Sequence, residues 1–230
     1  MALISDVHGN YAALTAVLLA VDRLGVDRVL CLGDTAGYYS EVNECCDLLR
    51  AREIFCLRGN HDEYLITESG CPRSTSANRC ILYQKSIVTP ENLAWLESLR
   101  PAAFVAGLDL VHGGWSNPLD EYVRPSEEYF SALKGTLFAS AHSHVPCVWT
   151  GRIKKYCNPG SVGQPRDGDW RASFATWDGV DFKIHRIGYD VVSTQRRMAQ
   201  AGFDSYYFEN LRKGSRIGGK IDTVESLGER

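Results

Sequence analysis

The sequence predicts a one-domain α/β protein with two mixed sheets packed face to face and helices outside, a four-layer α-β-β-α sandwich. Three observations point there. From Ala2 to Arg58, short apolar runs alternate with helical periodicity in the order strand, helix, strand, helix, strand, which calls for right-handed parallel crossovers. After Pro101 the pattern turns to short β runs. No Pro/Gly/Ser-rich linker separates the halves, so they are expected to share a core.

Taken in order, Ala2 to Ser5 reads as a buried strand stopping at Asp6. From Asn10, the residues Leu14, Val17, Leu18, Val21 and Leu24 recur at threes and fours, with Asn10 as cap and Gly25 as stop. Arg28 to Leu32 is a second strand ending at Gly33-Asp34, Glu41 to Ala51 a second helix, and Glu53 to Arg58 a third strand ending at Gly59-Asn60-His61. Glu63 to Cys80 is mixed and polar, without a clear period. Pro90 to Leu99 is helical, because Thr89 caps, Pro90 suits the first turn, and Leu93, Leu96 and Leu99 form a stripe. Ala103 to Ala106 and Leu108 to Val111 flank Gly107 as a hairpin, Ser126 to Leu133 is helical, and Thr136 to Ser140 is a strand delivering His142 and His144. Cys147 to Thr150, Lys155 to Cys157, Ala172 to Trp177 and Asp181 to Ile187 are expected to complete the second, more antiparallel set. Val192 to Ala201 and Ser205 to Leu211 read as terminal helices, so the domain spans 1–215, and 216–230 is expected to be a mobile polar tail.

Composition excludes several roles. The net charge of -3 is spread along the chain, with only a mildly basic stretch from Arg212 to Arg216, so duplex or single-strand nucleic-acid binding is not its main work. No apolar run approaches the roughly 20 residues of a membrane span, and the N-terminus lacks a secretory pattern, so a cytoplasmic protein without a membrane partner is expected. The eight cysteines show no Cys-x-x-Cys spacing, and Cys31 and Cys56 sit in apolar runs. They read as reduced, buried small hydrophobes, with redox roles left open for Cys45-Cys46 and for Cys71 with Cys80.

The chemistry lies in five histidines. His8, His61, His112, His142 and His144 each sit in a short Gly-, Asn- or Asp-bearing segment after an apolar run, and imidazole is the commonest metal ligand. In a strand, residues two apart face one side, so Asp6 with His8, and His142 with His144, can each aim two ligands at one place. Asp6, Asp34, Asn60, His112 and His142 all follow expected strands, where α/β sheets bind ligands. Gly9, Gly33, Gly59 and Gly113 permit tight turns beside them.

The segments Asp6-Val7-His8, Gly33-Asp34, Gly59-Asn60-His61-Asp62, His112 and Ala141-His142-Ser143-His144, in that order, resemble the calcineurin-like metallophosphoesterases. Asn158-Pro159-Gly160-Ser161 through Arg166 is similar to the small bacterial and archaeal branch of that family, the diadenosine tetraphosphatase-like and YfcE-like phosphoesterases. Ala141 stands where the family usually has glycine and Ser143 where it often has threonine; both are small. The resemblance implies the metallo-dependent phosphatase fold, with Asp6, His8 and His144 holding one metal, Asn60, His112 and His142 the other, and Asp34 bridging. It implies two divalent transition-metal ions (Mn, Fe, Ni, Co or Zn), a metal-bridging hydroxide as nucleophile, His61 as general acid, and Asp62 orienting it. Taken alone, Asn60 reads equally as a turn residue, His112 as a satisfied histidine, and His61 as a support for the ligands.

Asn10, Arg58 and Arg166 are candidate phosphate contacts, each with a capping or surface reading beside it. Gly37, Tyr38 and Tyr39 are candidates for the cleft wall, Trp115 and Trp170 for stacking a ring, and His185 for structure only. The implied substrate is a phosphorylated small molecule, a nucleotide or a phosphoprotein, and the non-enzymatic alternative is an interaction module on the same fold.

Overall fold

Strand β1 (Ala2–Ile4) is wholly buried and divides its side chains by alternation: Ala2 and Ile4 face a helical core, Leu3 the opposite one. The computed structural model, which describes residues 1–67 and 69–227, builds both cores outward from this strand. Helix α1 (Tyr11–Arg23) starts where Asn10 Oδ1 accepts the Ala13 N–H at 3.2 Å, and it buries Ala13, Leu14, Val17, Leu18 and Val21. It stops at Gly25, whose φ of 65° lets Val26 N–H reach back to the Val21 carbonyl. Leu24, expected on the buried stripe, is instead the capping residue and is exposed.

Strand β2 (Val29–Cys31), helix α2 (Val42–Ala51) and strand β3 (Phe55–Cys56) follow as expected, each strand parallel to its predecessor. Helices α3 (Asn60–Ile66), α4 (Thr75–Ile87) and α5 (Pro90–Ser98) come next. Strands β4 (Ala102–Val105) and β5 (Leu108–Val111) form a hairpin whose two turn residues, Ala106 and Gly107, have φ of 51° and 84°, the handedness that matches strand twist. Then come α6 (Glu127–Ser131), β6 (Leu137–Ala139), β7 (Cys147–Thr150), β8 (Lys155–Asn158), β9 (Ala172–Trp177), β10 (Phe182–Ile187) and α7 (Val191–Gln200). The stretch expected as a last helix, Ser205 to Leu211, is two short 3₁₀ turns, Ser205–Tyr207 and Glu209–Arg212.

The sheets run β10-β9-β1-β2-β3 and β4-β5-β6-β8-β7. Between them lie Leu3, Leu30, Leu32 and Leu57 from the first and Leu108, Leu110, Ala139 and Cys157 from the second. Each fully buried leucine there contributes about 1.5–3 kcal/mol. Outside the first sheet, Ile4 and Cys31 meet Leu14, Val17, Cys45 and Leu49 of α1 and α2. Outside the second, Phe138 and Tyr156 pack under Phe130 of α6, with Trp115 and Trp149 beside them. The four layers are therefore those expected, with the last one thin.

Three expectations are corrected. Strands β9 and β10 join the first sheet rather than the second, β9 antiparallel to β1 and β10 antiparallel to β9, because β1 would otherwise leave a buried edge of unpaired N–H and C=O groups. The segment read as mixed and polar, Glu63 to Cys80, runs into the start of α4, whose buried stripe of Ala77, Cys80, Ile81 and Gln84 has one large aliphatic side chain and one polar one while Leu82 points outward. Residues 216–227, expected as a mobile tail, pack back onto the domain: Asp222 N–H donates to the Arg166 carbonyl at 2.7 Å, and Asp222 and Leu227 are buried. The last part of that stretch, 228–230, lies outside the described residues. Among the described residues no helix is long and apolar enough to cross a membrane. The cysteines are free thiols, buried except for the half-buried Cys71 and Cys147.

Candidate metal centre

Five site residues have left-handed backbones: Asp6, His8, Asp34, His142 and His144, with φ of 51°, 54°, 56°, 66° and 61°. Such conformations cost non-glycine residues on the order of 1–3 kcal/mol each and persist only where the surroundings impose them. Here the surroundings are backbone bonds between loops. Asp6 N–H reaches the Gly33 carbonyl, His8 N–H the Asp34 carbonyl and Gly9 N–H the Thr35 carbonyl, at 2.9 to 3.0 Å, so the turns after β1 and β2 zip together. Asp6 and His8 thus converge through coiled turns beyond the strand end, not through strand alternation as expected, and the same holds for His142 and His144.

Two glycines make this approach possible. A Cβ at Gly37, whose φ is 145°, would lie 2.0 Å from His8 Nδ1, and one at Gly59 would lie 2.1 Å from Asp34 Oδ1.

The ligand atoms form two groups that share Asp34. Asp6, His8, Asp34 and His144 make one, and Asp34, His112 and His142 the other, with the atoms of each group within 4.8 Å of one another. His8 Nε2 is 3.0 Å from His144 Nε2 and 3.7 Å from Asp34 Oδ2, while His144 Nε2 is 3.3 Å from Asp6 Oδ1. In the second group His112 Nε2 lies 3.4 Å from Asp34 Oδ2 and 3.1 Å from Asn60 Oδ1, which brings Asn60 to the same place. The Nδ1 atoms of His8, His112 and His144 face the carbonyls of Ala36, Leu32 and Gln164 at 2.8, 2.8 and 2.7 Å. Each carbonyl fixes its ring with Nε2 toward the centre, the outer support that metal-binding imidazoles require.

Both oxygens of Asp6, Oδ2 of Asp34 and Nε2 of His142 are buried and have no hydrogen-bond partner. Unpaired buried carboxylate oxygens are costly, and divalent cations bound between the two groups would satisfy all of these atoms together. The residues present therefore fit two metal ions. Burial pushes Asp6 up to about 7, with Asp34 adding to the effect. Burial acts on Asp34 in the same direction but is outweighed by the imidazoles of His112 and His61, which hold it well below the usual carboxylate range. Burial also holds His8, His142 and His144 well below their usual range, in the neutral form that ligates metal. His112 rises to about 10 against its burial because Asp34 faces it.

His61 sits at the N-terminal end of α3. Its backbone N–H donates to Asp34 Oδ1 at 2.8 Å, its ring stands edge-on to His8 with centroids 4.9 Å apart, and its Nδ1 is buried without a partner. Burial lowers its pKa to about 4, opposed by Asp34. Asp62 does not touch the His61 ring. Its Oδ1 accepts Ala36 N–H at 2.8 Å and its Oδ2 accepts Asp34 N–H and Gly59 N–H at 2.9 Å each, so it orders the turn that presents Asp34. The expected role of orienting His61 is not carried by any of these three bonds, all of which go to backbone donors.

Of the three expected phosphate contacts, only Arg166 lines the cleft over the metal groups. Its Nε and Nη2 both bind Gln164 Oε1 and Nη2 also meets Tyr38 Oη at 3.0 Å. Arg58 is absent from the cleft wall because its guanidinium is taken up by the Leu99 carbonyl and Glu63. Asn10 is spent on its helix cap and on Gly163, Tyr189 and Thr194. Tyr38 is on the cleft wall, whereas Tyr39, Trp115 and Trp170 are not. His185 pairs with Thr176 and stacks on Phe174, away from the site.

The sequence reading missed four residues. Asp120 lies 3.4 Å from His142 Nε2 and 2.7 Å from Arg73, Tyr122 packs on His142 at 4.3 Å, and Arg73, Tyr122 and Arg216 line the cleft. They lie in the irregular connections and the C-terminal stretch, where no periodicity marks them. The cleft holds about 110 Å³, space for several waters at roughly 10–15 Å³ each.

Comparison with known proteins gives concordant relatives. An uncharacterized protein of Methanocaldococcus jannaschii is 33% identical over 240 residues, covering 93% of this chain and 98% of that protein. A crystal structure of a metallophosphoesterase from Sphaerobacter thermophilus is 31% identical, covers 93% of this chain and 98% of its own, and superposes with a TM-score of 0.82. A hypothetical protein from Pyrococcus horikoshii shares the fold, with a TM-score of 0.86 at 18% identity over 94% of this chain and 98% of that one. The model of the calcineurin-like phosphoesterase superfamily domain matches residues 1–180, a span holding every ligand of both groups. With the motif order, the shared Asp34 and this match in agreement, the chain belongs to the calcineurin-like phosphoesterase superfamily.

Proposed function

We propose that the chain is a dinuclear metal-dependent phosphoesterase acting on a small phosphorylated molecule, with His61 as general acid. One observation carries this reading: two ligand groups share Asp34 beneath a cleft whose wall also holds His61 and Arg166. Two divalent transition-metal ions (Mn, Fe, Ni, Co or Zn) held by Asp6, His8, Asp34, Asn60, His112, His142 and His144 would acidify a water and polarise the phosphoryl oxygens for in-line displacement.

The remaining steps fall to side chains. Arg166 offers Nη1 to a phosphoryl oxygen, since its other donors are engaged by Gln164 and Tyr38. His61, on the cleft wall, gives a proton to the departing alkoxide. Its lowered pKa keeps it neutral in the resting cleft, and the negative charge of an arriving ester opposes that shift and favours the protonated ring. Ile217 and Arg216 narrow the cleft, which favours a small molecule or nucleotide over a folded phosphoprotein. Free, mostly buried thiols support a reducing compartment such as the cytoplasm.

The test is hydrolysis of p-nitrophenyl phosphate and bis(p-nitrophenyl) phosphate with Mn, Ni, Co or Mg added. Turnover of at least one, lost in Asp34→Asn, is expected. Failure to hydrolyse any phosphate ester with any metal would overturn the reading in favour of an interaction module.

A further inference from the structure

The arginines near the cleft differ in which N–H groups they have left to offer. Arg58 has each of its three guanidinium nitrogens bonded to a protein acceptor and lies off the cleft. Arg166 retains Nη1. Arg216 is different again: its Nε donates to Asp222 Oδ2, and neither Nη1 nor Nη2 has a bond to any described residue.

The carboxylate that holds it is placed behind it. The Asp222 side chain is 3% exposed and off the cleft wall, whereas Arg216 is 22% exposed and on it. Asp222 thus fixes one edge of the guanidinium and leaves the other edge, the paired Nη groups, without a partner among the described residues, on a side chain that lines the cleft. That edge matches the two oxygens of a phosphoryl or carboxylate group.

The position of Arg216 is built in, not incidental. Asp222 N–H binds the Arg166 carbonyl at 2.7 Å, Arg216 N–H binds the Lys220 carbonyl at 2.9 Å, and Gly168 N–H binds the Gly214 carbonyl at 2.9 Å. These bonds seat the C-terminal strap beside the loop that carries Arg166. Tyr38 lies between Arg166 and His8: its ring is 4.8 Å from that of His8, its hydroxyl meets Arg166, and Arg166 sits over its face at 5.5 Å. The bonds that hold Arg216 go to Asp222 and Lys220 and not to the metal-binding residues, so its free edge is available to a part of the substrate apart from the reacting phosphoryl group.

We propose that Arg216 forms a subsite for a second anionic group, phosphoryl or carboxylate, on the leaving-group side of the substrate. Asp222 is its positioning residue. This inference rests on the phosphoesterase reading above, and it narrows the substrate class to phosphate esters that carry a further anionic group.

The experiment compares propyl phosphate, 3-carboxypropyl phosphate and propane-1,3-diol bisphosphate as substrates of the metal-loaded full chain and of Arg216→Ala and Asp222→Asn. The expected result is a kcat/KM at least tenfold higher for a doubly functional ester than for propyl phosphate. That preference should fall at least tenfold in Arg216→Ala, mainly through KM, and partly in Asp222→Asn. A preference for the bisphosphate alone identifies the second group as phosphoryl, and a similar gain with the carboxylate identifies the shared anion chemistry. An equal preference in the wild type and Arg216→Ala, with both folded by circular dichroism, overturns the subsite. If no ester is hydrolysed, the phosphoesterase reading fails separately, and calorimetric binding of the same three compounds then decides. Tighter binding of the doubly anionic compounds that is lost in Arg216→Ala sustains the subsite, and equal binding by both proteins refutes it.

Discussion

The carboxylate of Asp62 holds the backbone of Asp34, with Oδ2 accepting Asp34 N–H at 2.9 Å. Gly59 N–H converges on the same oxygen and Ala36 N–H on the other, so one side chain ties the start of α3 to the turn that presents the shared ligand. Asp62→Ala leaves three buried donors unsatisfied, at about 1–3 kcal/mol each. A loss of several degrees in Tm, together with reduced metal content by elemental analysis, is expected. An unchanged Tm and metal content with only a slower rate would restore Asp62 to the role of orienting His61.

His61 contributes no ligand atom to either metal group and lines the cleft, which suits it to the proposed role of general acid. His61→Gln is expected to lower kcat by about 10²–10⁴ for an alkyl phosphate. The loss should be smaller for p-nitrophenyl phosphate, whose leaving group needs little protonation, and metal content should stay at the wild-type level. Equal losses for both esters would remove His61 as the acid.

Gly37 is where backbone conformation and ligand placement meet most tightly. Gly37→Ala puts a methyl group 2.0 Å from His8 Nδ1 at a φ of 145°, so the ring must leave its place against the Ala36 carbonyl. The metal group containing His8 should weaken, read as a higher metal concentration for half-maximal activity. An unchanged metal requirement would show that the His8 position is not held by that carbonyl.

Cysteine accessibility provides an independent check of the fold. Burial raises the thiols of Cys45, Cys46 and Cys157 well above their ordinary value and that of Cys80 to about 12, while Cys71 and Cys147 are half-buried. Of the eight cysteines, Cys71 should react first with a thiol reagent at neutral pH without denaturant, Cys147 more slowly because burial raises its thiol, and the six buried ones last, identified by peptide mass. Rapid labelling of Cys45 or Cys46 would contradict the packing of α2 on the first sheet.

The metal groups were legible in the sequence because their ligands follow apolar strands at points where the period breaks, and the glycines needed beside them are explicit in the chain. Strand alternation, however, was the wrong reason for the convergence of Asp6 with His8: left-handed turns after β1 bring them together, and no local pattern announces such turns in non-glycine residues. Helix α4 escaped notice because Gln84 and Ala77 occupy its buried face and Leu82 its outer one. The sheet that β9 and β10 join depends on which edge needs pairing, a property of the assembled fold. The C-terminal strap reads as polar because its buried members, Asp222 among them, are satisfied by ion pairs and backbone bonds rather than by apolar contact.

Metal stoichiometry tests the central claim most directly. The chain, reconstituted with Mn and freed of excess by gel filtration, should carry two ions by elemental analysis. His8→Ala and His112→Ala should each lose about one ion, and Asp34→Ala, which removes the carboxylate common to both groups, should lose both. Retention of two ions in Asp34→Ala, or a single ion in the wild type, would contradict a centre built on a shared Asp34.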